Sequence, residues 1–284
     1  MPRSIPRAGL TPKKPRMRTV MAIMAKGMIM AITSMVRIAI TTTTTIITIM
    51  ATSAKTKPES SNGALPLLVW LSPAFPVGSF AYSHGIEWAF EAGDVTDAKT
   101  TERWIGDLLN CGGPWSDAVL LACAHRAASA KEYDLLREIA EFASALAPSK
   151  ERKLETMAQG AAFMGAVKSA WNNKAFEKAL AATTEEVAYP VAVGIASAAH
   201  NIPLNVTLES FLLAVASNLV SAAVRLIPLG QTDGTKIVAT LMPQAREIAE
   251  RASSATLDDV GAAAIRSDIA SMKHETQYSR LFRS

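Results

Sequence analysis

The sequence predicts an all-α protein: a single multi-helix bundle domain preceded by a low-complexity N-terminal extension. Three observations predict it. Alanine and leucine abound, while the period-two alternation of β-branched residues that marks strands is scarce. Gly or Pro punctuates the chain at helix-length intervals. Residues suited to capping stand where apolar periodicity begins. On this reading residues 64–284 form the helical domain, and residues 1–63 are a basic extension expected to be disordered or non-native.

The extension differs in kind from the domain. Met1–Lys57 carries ten basic residues and no acidic one, around a mixture of Met, Ile, Ala and Thr. Lys26 and Arg37 divide it into pieces shorter than the ~20 apolar residues of a membrane span. Its composition fits a transit peptide, or a flexible tail. It also fits a shifted reading frame, because His, Asp and Gly codons read one base out give Met, Ile, Thr and Ala. On that account Met21–Met50 overlaps a His- and Asp-rich coding tract. The charge balance turns on this segment. The whole chain has 29 basic and 25 acidic residues, whereas the part after Lys57 has 19 basic and 25 acidic. The domain is therefore acidic, which excludes nucleic acid as its partner.

Trp70–Glu91 organises the domain. Pro73 and Pro76 bracket Phe75 and predict a stiff, extended apolar entry over Ser72–Val77. Gly78 allows a turn, and Ser79 is placed to cap a helix running to about Ala92, with Gly93 as its stop. That helix would put Phe80, His84, Glu87 and Glu91 on one face, and Tyr82, Ile86, Ala89 and Phe90 on another. So many aromatic residues read as a buried anchor.

The remaining elements come in order. Thr96 caps a helix ending at Cys111–Gly113, and Pro114 suits the first turn of the next, Trp115–Ser129. Glu132–Leu146 stops before Pro148, Ser149 opens a long helix, and Trp171–Asn173 breaks it. A short helix reaches Ala182, and Pro190 begins Val191–His200. Thr207 caps Leu208–Leu226, which is apolar nearly all round and so belongs in a bundle centre or subunit interface. Its Glu209, Asn218 and Arg225 argue against membrane insertion. Pro228–Gly230 breaks the chain, Thr232 or Asp233 opens Gly234–Ala252, and a last helix starts near Leu257 and runs toward the tail.

Chemistry is sparse. No phosphate-binding Gly-rich loop is present. His84, His125, His200 and His274 are dispersed without i,i+4 partners, so no metal-ligand set is predicted, and no cofactor. Cys111 and Cys123 have neither zinc spacing nor the number for a disulfide framework, and read as buried thiols in a reducing cytoplasm. Ser83, His84 and Glu87 could be drawn as a hydrolase trio, but neighbours on a helix point different ways. Arg225 with Gln231 and Asp233 makes a compact polar site around Pro228–Gly234. It suits either helix capping or a contact with a nucleotide hydrolase. In the tail, His274, Tyr278, Leu281 and Phe282 share one face at helical spacing, with Lys273, Arg280 and Arg283 beside them. That composition fits a partner hot spot or a self-docked end.

Four stretches resemble one family. Trp70–Glu91, Tyr189–Gly194, Asn218–Gly234 and Ser267–Phe282 are similar, in this order, to motifs of the urease accessory protein F family. The resemblance covers about Leu65 to Ser284 and leaves out Met1–Lys57. It implies an all-helical, non-catalytic, cytoplasmic scaffold that forms a homodimer. It further implies partners: accessory protein D or H, the GTPase accessory protein G, and apo-urease, to which the complex delivers nickel. The segment matched by Lys273, His274, Glu275, Tyr278, Arg280, Leu281 and Phe282 is where D or H would dock. Roles as GTPase regulator and as fidelity factor both stay open, as does direct nickel carriage.

Overall fold

The structure is a computed structural model that describes residues 63–284 except residue 185. The expectations for the extension lie outside the described residues.

Every regular element among the described residues is helical. In chain order they are α1 (Leu65–Trp70), a 3-10 turn (Ser79–Ala81), α2 (Ile86–Glu91), α3 (Ala98–Cys111), α4 (Gly113–Ala130) and α5 (Tyr133–Ala145). Then come α6 (Lys150–Ala170), α7 (Lys174–Ala181), α8 (Tyr189–Ala199), α9 (Leu204–Leu226) and α10 (Gln231–Ser254). A second 3-10 turn (Leu257–Asp259) and α11 (Ile265–His274) complete the chain.

The centre of the bundle is α4 against α8. Both are rich in alanine and other small residues, and Val191–Ser197 of α8 is buried without interruption. Small side chains let the two backbones approach closely. A Cβ on Gly194 would stand 2.6 Å from the Leu121 carbonyl oxygen, so no larger residue fits there without separating the helices. Next outward, α9 lies along α10, while α3 and α6 flank the centre. Leu204–Leu226 is long and apolar enough to cross a membrane, but half of its apolar window is covered by other parts of the bundle. The aromatic anchor is real. Trp70 sits edge-on to Phe163, Trp171 and His200, with ring centroids 5.9, 6.1 and 5.1 Å away, and Phe75 lies 5.6 Å from Phe163.

Several helix ends obey local rules. Asp97, one residue beyond the expected Thr96, caps α3 in a reciprocal box with Thr100. Ser149 accepts the Arg152 amide at the start of α6, and Asn173 accepts that of Phe176 at the start of α7. Three expectations fail. The α9 helix starts at Leu204 rather than Leu208, because Pro203 serves as the boundary and the Thr207 hydroxyl donates back to its carbonyl. Gln231 and Asp233 lie inside the first turn of α10, not on a loop. The segment after Leu257 closes only one 3-10 turn, held by a Thr256–Asp259 capping box. A strap comes next, tied by Ala263 N–H to the Cys111 carbonyl, before α11 begins.

The largest departure is the anchor helix. Ser79–Ala92 is not continuous: Tyr82 is extended, His84 and Gly85 have φ of 52° and 78°, and only Ile86–Glu91 is α-helical. Distant residues take the groups such a helix would have paired. Asn218 Nδ2 donates to the Ser79 carbonyl at 3.0 Å, Arg225 Nη2 to that of Phe80 at 2.9 Å, and Arg283 N–H to that of Ala81 at 2.7 Å. Gly85 is forced by packing as well as by φ, since a Cβ there would lie 2.7 Å from the Ser271 nitrogen on α11.

Candidate functional site

The kink at 82–85 makes room for the tail. The α11 helix buries a polar face, Ser267, Ser271 and His274, and leaves Ile265, Ile269 and Met272 exposed. Ser271 Oγ meets Ser149 Oγ at 2.8 Å, the start of α6. The helix stops at His274, so His274, Tyr278, Leu281 and Phe282 do not share a helical face as their spacing predicts. The physical reason is competition. The Thr276 and Gln277 amides close only i,i+3 turns onto Lys273 and His274, and those of Leu281, Phe282 and Arg283 pair with Glu87 and the Ala81 carbonyl instead of a further helical turn.

His274 is fully buried between two carboxylates, with Nδ1 2.7 Å from Glu151 Oε2 and Nε2 3.1 Å from Glu87 Oε2. Carboxylates accept, so both contacts are hydrogen bonds only when each ring nitrogen carries a proton. Each carboxylate then reaches onward into the tail. Glu87 accepts the amides of Leu281 at 2.6 Å and Phe282 at 2.9 Å. Glu151 pairs with Arg280 at 2.7 Å. Glu275 accepts the Lys150 amide at 2.8 Å, an anion placed on the positive end of α6. The Ser284 carbonyl oxygen accepts from the Ser83 amide at 2.6 Å and hydroxyl at 2.5 Å, while the Ser284 hydroxyl donates to Glu155 at 2.9 Å.

The tail is thus pinned with a definite polarity. Phe282 is 4 % exposed and lies under the Arg225 guanidinium, 4.4 Å from ring centroid to Cζ. Leu281 is 63 % exposed and Tyr278 wholly so. Lys273 and Arg283 are exposed beside them. Arg225 therefore belongs with the tail. Gln231 and Asp233 do not reach it: Gln231 is exposed, and Asp233 pairs with Lys236 at 3.2 Å. Arg225 and Gln231 line one shallow cavity of about 320 Å³ between α9 and α10.

Beneath the tail lies a charged cluster on α6 that sequence reasoning missed. Arg152 reaches Glu155 at 2.5 Å and Asp117 at 3.4 Å, and Gln159 donates to Glu155 at 3.1 Å. His84 Nε2 is 2.9 Å from Glu155 Oε1 and 2.8 Å from Arg152 Nη1; one nitrogen cannot donate and accept at once, so only one contact is a hydrogen bond at a time. Burial alone pushes the Glu155 carboxyl up, but Arg152 and then His84 outweigh it and hold its pKa at about 2. Burial wins at Asp117, whose pKa is raised despite Arg152. The sequence signal was polar residues at helical spacing, Arg152, Glu155 and Gln159 at i, i+3 and i+7. The cluster forms one wall of a cavity of about 470 Å³, whose other walls include Trp70, Val77, Tyr189 and Phe211.

This arrangement does not assemble a hydrolase trio. Ser83 faces Ser284, His84 faces Glu155 and Arg152, and Glu87 faces His274 and the tail. The other two histidines are engaged too: His125 Nε2 lies 2.8 Å from the Ile202 carbonyl, and His200 Nε2 2.8 Å from that of Trp171. Among the described residues no group of three or more His, Cys, Asp or Glu is placed to hold a metal ion.

Comparison with known proteins places the chain in a family. The UreF family model matches residues 95–242. A protein of Xanthobacter autotrophicus named urease accessory protein UreF is 52% identical over 234 residues, covering 82% of this chain and 96% of its own length. One of the same name from Rhodopseudomonas palustris is 52% identical over 241 residues, 83% of this chain and 100% of its own. A third, from Bradyrhizobium sp., is 54% identical over 218 residues, 77% of this chain and 90% of its own. With half of the chain inside the family model and about four fifths aligned at this identity, the chain belongs to the UreF family.

Proposed function

We propose that this chain is a non-catalytic accessory factor in urease maturation. In this reading it bridges accessory protein D or H and the GTPase accessory protein G, and so serves nickel insertion into apo-urease in the cytoplasm. Its relatives' names support the pathway. The observation that carries the docking role is the polarity of the tail: Phe282 and His274 hold it, while Tyr278 and Leu281 face outward. Exposed Tyr and Leu flanked by Lys273 and Arg283 have the composition of an interface core with a charged rim. Arg225 and Gln231, which share the cavity between α9 and α10, are the contact assigned to the GTPase partner. A homodimer is assigned to the apolar face where α1 meets α9, which leaves Leu68 72 % and Phe80 60 % exposed.

Co-expression of the full chain with the accessory proteins and apo-urease tests this reading. The wild-type chain should co-purify with them and yield nickel-dependent urease activity, and a Tyr278→Ala/Leu281→Ala variant should lose both while remaining folded. Full activation by that folded variant would contradict the docking role of the tail.

A further inference from the structure

Glu87 is the carboxylate that takes the most contacts from the tail itself. Its two oxygens take three donors from a segment almost two hundred residues away: the amides of Leu281 and Phe282 at 2.6 and 2.9 Å, and His274 Nε2 at 3.1 Å. It is buried and sits in the first turn of the six-residue α2. Two consecutive amides on one carboxylate fix the local backbone as well as its position. Side chains at 281 and 282 are then directed oppositely, and the exposures record it, Leu281 outward and Phe282 inward. Arg225 closes over Phe282 from α9, so a tail displaced from Glu87 also loses its aromatic seat.

We propose that Glu87 is a positioning residue for partner docking: through the amides of Leu281 and Phe282 it sets the tail in the form that presents Tyr278 and Leu281 to accessory protein D or H. This rests on the reading of the tail as the docking segment. Glu87 does not contact the partner. It acts by removing the ordering cost that a loose tail would meet on binding. Charge matters, because a carboxylate can accept from all three donors whereas an amide presents one acceptor oxygen and two competing N–H groups. The effect of Glu87→Gln is therefore expected to exceed that of a neutral surface change. Loss of charge-assisted hydrogen bonds of this kind is expected to weaken docking about ten- to hundred-fold.

The test uses the full chain and two readouts. Amide hydrogen exchange followed by NMR should show the Leu281 and Phe282 amides protected in the wild type. In Glu87→Gln their exchange should be at least about tenfold faster, while the Val191–Ile195 core amides are unchanged. Titration with accessory protein D or H should show the matching rise in Kd. Should Glu87→Gln fail to fold, Leu281→Pro compared with Leu281→Ala tests the same bond from the tail side: both lose the leucine side chain, and proline also loses the amide proton and fixes φ. Leu281→Pro should bind at least about tenfold more weakly than Leu281→Ala. Fast exchange at 281 and 282 with unchanged partner affinity would overturn the positioning role. The Tyr278→Ala/Leu281→Ala variant separates the two ideas. If it binds normally, the tail is not the docking segment; if it binds weakly while Glu87→Gln binds normally, only the role of Glu87 falls.

Discussion

Arg152 is buried with three acidic or basic neighbours, and removing one of them shows what the cluster contributes. Glu155→Gln leaves the guanidinium with Asp117, at 3.4 Å, and Asp268 as its remaining counter-charges. Breaking a buried pair in this way costs about 3–5 kcal/mol, read as a lower midpoint in denaturant unfolding at neutral pH. The sign with pH comes from the pKa. The folded value of about 2 lies below the ordinary 4.5, so the charged carboxylate stabilises the fold above pH 4.5. That contribution is lost as the pH falls from 4.5 through about 2. The difference between wild type and Glu155→Gln should therefore shrink over that window. Asp117 acts in the opposite sense, because its raised pKa means the fold penalises its charge. Arg225→Ala should loosen the tail by about 1–2 kcal/mol, from the lost contact over Phe282 and the lost bond to the Phe80 carbonyl. Faster cleavage by trypsin after Arg280, with an unchanged melting temperature of the bundle, would be the corresponding observation.

At the scale of elements, what was legible in the sequence was local. Ser149 and Asn173 cap the helices they precede, Gly112 separates α3 from α4, and Pro190 stands in the first turn of α8. Each of these is decided within four residues. The anchor helix was misread because its fate is decided elsewhere. Asn218, Arg225 and Arg283 take the carbonyls of Ser79, Phe80 and Ala81, and no window of sequence contains both partners. The candidate site was half legible for the same reason. Tail composition marked Tyr278, Leu281 and Phe282 as a group, but nothing local shows that the 281 and 282 amides meet Glu87 or that only Phe282 is buried. Gly85→Ala tests the packing of α2 on α11 directly. With φ at 78° and only 2.7 Å to the Ser271 nitrogen, the added methyl should destabilise by about 1–3 kcal/mol. Exchange of α11 amides should rise before that of α4 or α8; equal loosening everywhere would mean the contact is not local.

For the whole molecule, the helical domain differs from the segment before it in charge. The family model matches residues 95–242 of the acidic part, while ten basic residues lie in Met1–Lys57. We propose that deletion of Met1–Lys57 leaves helical signal and urease activation essentially unchanged, which circular dichroism and cellular urease assays of both lengths would check. Collapse of either would assign the segment a structural or targeting role. The central claim, however, is that the pinned tail docks a partner protein. Calorimetric titration of accessory protein D or H into the full chain, beside Tyr278→Ala/Leu281→Ala, addresses it most directly. Hot-spot residues of this kind are each expected to account for about 1–3 kcal/mol, so the double variant should bind at least about tenfold more weakly with its melting temperature unchanged. Equal affinity for the two chains would contradict the claim and move the partner site to the helix faces.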